Sequence, residues 1–287
     1  MSTPPLAGLR VVSVALNLPG PVACARLAEL GASVTKVEPP TGDPFESYCP
    51  AWYRRLHVGM SVSRLDLKSD AGRAALHELL APADLFVTAQ RPSALGRLGL
   101  DPASLAARHP RLCHVAITGH PPPDEEIPGH DLTYLALHGL LKPPAPPPTL
   151  FADMAGAERA VSTALALVIA RERSGRGTSM QVALEDAARA LAQPLHEGLT
   201  RPDALLGGGD AGYNLYAART GWIAVAALEP HFARALADAL GLESLSTEAL
   251  RVRFATETAQ HWEAWARDRD LPLVALRNPS IEGDSPK

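Results

Sequence analysis

The chain of 287 residues is 46% hydrophobic and 20% charged, an ordinary globular composition with material for a sizeable core. Its net charge of −4 and pI near 6.2 argue against bulk binding to nucleic acid or an anionic membrane. No signal-peptide pattern and no apolar run of bilayer length is visible. The scattered Cys24, Cys49 and Cys113 fit neither a disulfide framework nor a zinc site, so a reducing cytoplasm is expected.

Residues 9–15 form a valine-rich run that reads as a buried strand. Leu18-Pro19-Gly20-Pro21 is turn chemistry with a proline suited to a first helical position, and residues 22–30 follow as a helix stopped by Gly31. Residues 32–37 read as a second strand closed by Pro39-Pro40. The alternation then repeats: helix 70–80, strand 84–88, helix 102–108, strand 112–118. Strands alternating with helices predict an α/β fold with a parallel sheet covered on both faces, and ligands there sit beyond the carboxyl ends of the strands. The loops after Ala15, Val37, Thr88 and Thr118 are therefore the first places to look.

Prolines cluster at 121–123 and 143–148 and read as surface loops. A helix-like run at 132–141 follows Gly129-His130-Asp131, and a long helix over 154–173 follows Ala152-Asp153. A strand at 178–184 and a helix at 186–199 come next, and Gly207-Gly208-Gly209 marks a break. Beyond it, 213–217 and 222–227 read as an antiparallel pair, 230–240 and 257–269 as helices, and 273–276 as a last strand. The large domain is expected over 1–200 and a smaller α+β domain over 201–287.

His130 and Asp153 stand at adjacent helix starts and could face each other across a small substrate. Histidine titrates near neutrality, and a desolvated aspartate can be raised into the same range. Such a pair could take a proton from one face of a carbon and return it on the other. By position alone, Asp153 reads equally well as a helix N-cap and His130 as an ordinary N-terminal helix residue. Asp131 reads as a helix-start or buried hydrogen-bonding residue. The other histidines show no ligand-like pairing, and Trp262 and Trp265, three apart on one helix, read as packing.

A family resemblance sharpens this. Leu6-Ala7-Gly8-Leu9-Arg10-Val11-Val12, Gly20-Pro21 and the run Gly31-Ala32-Ser33-Val34-Thr35-Lys36-Val37-Glu38-Pro39-Pro40 resemble the start of the class III coenzyme A transferases and α-methylacyl-CoA racemases, the CaiB/BaiF-like family. Leu65-Asp66-Leu67-Lys68-Ser69, Arg91-Pro92, Arg97-Leu98-Gly99-Leu100 and residues 171–177 continue the match in register to at least Leu242. The resemblance implies a Rossmann-like large domain, a small domain and an interlocked homodimer with active sites between subunits. It implies an acyl-CoA substrate and no resident metal, flavin or nicotinamide.

Two chemistries share that family. Its transferases resemble one another in using an aspartate nucleophile, which matches Asp153. Its racemases are similar in carrying Gly-His-Asp, which matches Gly129-His130-Asp131. Leu228-Glu229-Pro230 resembles the racemases' small-domain motif and places Glu229 as support for His130. The closest resemblance is to the racemase branch, which implies epimerisation at C2 of a 2-methylacyl-CoA. Coenzyme A transfer through Asp153 is the alternative, and a silent binding or assembly module is the third. Lys68, Arg91 and Arg97 match phosphate-holding positions, and Leu65 and Leu67 match positions framing the adenine. Departures from the family are the weakly charged stretch before Leu65, the Gly119-His120-Pro121-Pro122-Pro123 loop where relatives are glycine-rich, and a C-terminus shorter than in relatives.

Overall fold

The structure, a computed structural model, describes residues 3–277. In chain order its first elements are β1 (Arg10–Ser13), α1 (Pro19–Glu29), β2 (Ser33–Glu38), α2 (Pro44–Tyr48), α3 (Pro50–Leu56), β3 (Ser61–Arg64), α4 (Asp70–Leu80) and β4 (Leu85–Thr88). Then come α5 (Pro92–Arg97), α6 (Pro102–Arg108), β5 (Cys113–Thr118), α7 (Asp131–Leu137), α8 (Phe151–Ser174), β6 (Ser179–Ala183), α9 (Leu184–Leu191) and α10 (Gln193–His196). The last are β7 (Tyr213–Ala217), β8 (Trp222–Ala226), α11 (Pro230–Leu240), α12 (Thr247–Phe254), α13 (Ala259–Arg267) and β9 (Leu273–Ala275). The chain forms two compact units, Met1–Ala192 and Gln193–Lys287. No helix among the described residues is long and apolar enough to cross a membrane.

In the first unit six parallel strands run in the order β3-β2-β1-β4-β5-β6. The order reverses between β1 and β4, which opens a crevice beyond their carboxyl ends. The period-two alternation of a strand sends Val11 and Ala15 to one face with α1 and α8, and Val12 and Val14 to the other with α4, α5 and α6. Both faces are covered, which is why these strands read as continuous apolar runs rather than alternating ones. Small residues let the helices approach: Ala23 and Cys24 of α1 share one cluster with Ala157, Ala160 and Ala164 of α8. At the far end of α8, buried Arg171 donates from Nη1 to Asp84 Oδ1 at 2.9 Å and so ties the helix to the start of β4.

Residues 41–64, which carry no obvious periodicity, form α2, α3 and the edge strand β3. Pro44 and Pro50 open the two short helices, and β3 has the weak, largely exposed pattern Ser-Val-Ser-Arg. A buried charged network organises this region. Lys36 Nζ lies 3.1 Å from Glu38 Oε1 and also bonds Asp43, while the Tyr53 hydroxyl donates to Glu38 at 2.7 Å. Asp43 accepts the N–H of Phe45 at 2.9 Å as the cap of α2 and that of Asn17 at 3.0 Å. Asn17 sits at φ 65°, in the left-handed region that asparagine tolerates. The loop after β1 is thereby fixed from the loop after β2.

Several boundaries differ from expectation. Helix α8 begins at Phe151, so Asp153 lies inside its first turn and Leu150, not Asp153, is the N-cap. Phe151 and Ala152 are helix-competent once the proline segment ends, and Gly175 at φ 72° stops the helix at the expected place. The single helix expected over 186–199 is two, α9 and α10, because Pro194 has no N–H to carry the ladder onward. That interruption coincides with the division between the units. Helix α7 ends at Leu137, with Gly139 at φ 73° just beyond.

The second unit is a three-stranded antiparallel sheet, β7-β8-β9, with α11, α12 and α13. Its core holds Tyr216, Ile223, Phe254 and Trp262, and the Trp262 indole N–H donates to Phe254 O at 2.9 Å. Trp265 packs edge-on to Trp262 with centroids 5.2 Å apart, the packing role expected of that pair. Helix α12 was not legible as a periodic run; Ser246 caps it by accepting the Ala249 N–H at 3.2 Å.

Candidate active site

Two helix starts meet at one end of the sheet. His130 is the N-cap of α7 in extended backbone, and its N–H donates to Thr133 Oγ1 at 3.0 Å. The next residue, Asp131, is buried and its Oδ1 accepts the N–H of Asp153 at 3.0 Å. One carboxylate therefore joins the first turn of α7 to the first turn of α8, the buried hydrogen-bonding role expected for Asp131. Asp131 itself titrates above the usual carboxylate range because burial disfavours its charge.

His130 and Asp153 line the same cavity of about 290 Å³. Its wall includes Asn17 from the loop after β1, Gln90 after β4, Gly119 after β5, Tyr134 of α7 and Leu184 of α9. Asn17, Gln90 and Gly119 stand on loops at the carboxyl ends of the strands, where the parallel sheet directs attention. Burial, and secondarily the neighbouring Asp131 charge, push the Asp153 carboxyl up to about 7. An aspartate there can both accept and release a proton near neutrality, which one in open water cannot.

Gly156 serves helix packing rather than lining the cavity. A Cβ there would lie 2.3 Å from Leu184 Cδ2, so the glycine lets α8 pack against Leu184, which in turn forms cavity wall. Tyr134 is held similarly. A Cβ on Gly119 would fall 2.4 Å from its hydroxyl oxygen, and a Cβ on Gly129 would fall 2.5 Å from Cε1. His120 stands edge-on to the Tyr134 ring at 5.1 Å, with Nδ1 2.6 Å from Glu185 Oε2.

A second cavity of about 510 Å³ lies over the ends of β1, β2 and β4 and is lined by Leu65, Leu67, Lys68 and Arg97. Leu16 and Gln90 line both cavities, so the two adjoin, and Arg91 lines the first rather than the second. Arg73, not singled out by sequence, shapes the rim by donating from Nη1 to Leu67 O at 3.2 Å and Lys68 O at 2.9 Å. Glu229 is the exposed N-cap residue of α11 in the second unit. Among the described residues no three His, Cys, Asp or Glu side chains gather as a metal site.

Sequence reasoning missed Asn17, Gln90 and Tyr134. Tyr134 had a signal, since it falls one helical turn after His130. Asn17 and Gln90 lie in two of the loops the strand pattern pointed to, but only the folded sheet selects these side chains within them.

The model of CoA-transferase family III matches residues 6–280. An α-methylacyl-CoA racemase of Mus musculus is 32% identical over 83% of this chain and 65% of its own length. A cinnamoyl-CoA:phenyllactate CoA-transferase of Clostridium sporogenes is also 32% identical, over 63% of this chain and 49% of its own. The chain thus spans between about half and two thirds of the length of these curated relatives. A crystal structure of a hypothetical protein from Mycobacterium tuberculosis superposes with a TM-score of 0.82 at 25% identity, covering 96% of this chain and 85% of that one. By sequence along nearly its whole length and by fold, this chain belongs to CoA-transferase family III.

Proposed function

We propose that the protein exchanges the proton at C2 of a 2-methylacyl-CoA, with His130 and Asp153 as the acid/base pair. The observation that carries this reading is the shared cavity: an imidazole and a carboxyl group raised to about 7 line one small space. One group takes the C2 proton, the C–H electron pair enters the C1–C2 bond, and the carbonyl pair moves onto the thioester oxygen. The other group then delivers a proton to the opposite face, and the enolate collapses to the epimer. His130 keeps its side chain exposed to that cavity, so a substrate can reach it.

The coenzyme A portion lies in the adjoining cavity, with Lys68 and Arg97 on its phosphates and Leu65 and Leu67 beside the adenine. Arg91 sits on the thioester side, where it meets the pantetheine end or a phosphate near it. The working form is an interlocked homodimer in the cytoplasm. Coenzyme A transfer through Asp153 is the second reading. It is favoured by the equal identity to a racemase and to a transferase, and by an aspartate that can ionise beside the thioester.

Deuterium incorporation at C2 of a 2-methylacyl-CoA in D₂O, without an acceptor acid, separates these. Wash-in with loss of optical activity supports the racemase. Acyl transfer to an added carboxylate without wash-in supports the transferase. Neither reaction, together with no coenzyme A binding, leaves a binding or assembly module.

A further inference from the structure

The enolate or tetrahedral oxygen of a thioester needs a donor aimed at it, and backbone N–H groups at a helix start are the usual source. Here the start of α8 is already spent. The Asp153 N–H donates to Asp131 Oδ1 at 3.0 Å and the Met154 N–H to Leu150 O at 3.0 Å. A different donor stands in the same cavity. Tyr134 is 2% exposed, lines the space shared by His130 and Asp153, and its hydroxyl carries no hydrogen bond to the described residues. Its ring is fixed on two sides by glycines where no Cβ fits and on a third by the edge of His120. A rigidly held donor that lines the cavity and has no partner among the described residues is placed to meet a ligand oxygen there.

We propose that Tyr134 is a further catalytic residue whose hydroxyl donates a hydrogen bond to the thioester oxygen as negative charge develops there. This rests on the acyl-CoA reading of the cavity given above. The phenol keeps its proton throughout: the electron pair released from C2 accumulates on the thioester oxygen, the hydroxyl hydrogen bond strengthens to meet it, and the pair returns when C2 is reprotonated. Burial, with the charges of Asp153, Glu185 and Asp131, pushes the phenol up to about 12, so it remains a donor across the neutral range. Glycine at 119 and 129 then has a functional reason, because either Cβ would displace the hydroxyl.

The test is deuterium wash-in at C2 for the full chain and for Tyr134→Phe. Loss of one such donor is expected to lower kcat about 100-fold or more while KM moves less than about threefold, because the coenzyme A contacts lie in the other cavity. Fluorotyrosine incorporated at position 134 retains the hydroxyl but makes it more acidic. It should restore exchange, at a rate that shifts stepwise as one to three ring fluorines make the hydroxyl a stronger donor, which a packing role would not do. If the full chain exchanges and Tyr134→Phe exchanges at the same rate, the assignment of Tyr134 is overturned alone. If Tyr134→Phe fails to fold, the fluorotyrosine arm decides, and a rate indifferent to the number of ring fluorines overturns it. If the full chain neither exchanges nor transfers, the acyl-CoA reading falls and takes the Tyr134 role with it.

Discussion

Replacing Asp153 by Asn should stabilise the protein while abolishing its chemistry, and the gain should depend on pH. The Asp153 carboxyl rises from 3.8 to about 7 on folding, so the folded state holds its proton over a range where the unfolded chain has lost it. The stabilisation present below the unfolded value is therefore lost progressively as pH climbs to about 7, and above that the native state carries a charge it disfavours. At about 1.4 kcal/mol per unit, the two units between pH 5 and pH 7 amount to about 3 kcal/mol. Asp153 is only partly buried and borders cavity water, so screening reduces this to about 1–2 kcal/mol. Guanidinium unfolding at pH 5 and pH 8 measures it. Trp52, the single tryptophan of the first unit, reports through 5-fluorotryptophan NMR, while Trp222, Trp262 and Trp265 belong to the second. The variant should gain about 1–2 kcal/mol over the unmodified chain at pH 8 beyond any gain at pH 5. An identical difference at both pH values would refute the claim that this carboxylate is raised by burial.

Other outcomes follow from the same geometry. His130→Ala should lower the C2 exchange rate about 1000-fold with an unchanged melting temperature, since the exposed N-cap imidazole makes no core contact. The direction of exchange in which Asp153 is the base should slow below pH about 7, and the direction in which it is the acid should slow above it, each read from separate enantiomers. Lys68→Ala and Arg97→Ala should raise KM for acyl-CoA about tenfold each with little change in kcat, because their cavity adjoins the reacting one without containing it. Gly156→Ala should change stability little, as about 1 kcal/mol of helix propensity offsets the displacement of Leu184, yet raise KM by pushing that side chain into the cavity. Arg171→Met should cost about 2–3 kcal/mol in chemical unfolding of the first unit, since it strands Asp84 at the start of β4.

The βαβ opening, helices α4 and α6, and the end of α8 at Gly175 were legible in the chain because each is written locally. Apolar runs mark buried strands, a left-handed glycine ends a helix, and proline opens one. The pairing of Gly129-His130-Asp131 with Asp153 was legible through family resemblance. The region 41–64 was not, because α2, α3 and β3 are held by Lys36, Glu38, Asp43 and Tyr53, whose meeting is a tertiary event. The start of α8 was misplaced for a related reason. Asp153 has the residue type of a cap, but Asp131 from α7 satisfies its N–H, so no local cap at that position was required.

By itself the sequence determined the α/β alternation, the crevice loops and the imidazole and carboxyl at two neighbouring helix starts, since these follow from periodicity and side-chain chemistry. Folding alone decided that Asp153 loses solvent and titrates near neutrality, that Asp131 occupies the helix-start N–H, and that two glycines and a histidine aim the Tyr134 hydroxyl into the same space. Desolvation and donor geometry depend on atoms brought from distant parts of the chain, and no local pattern encodes which of them arrive.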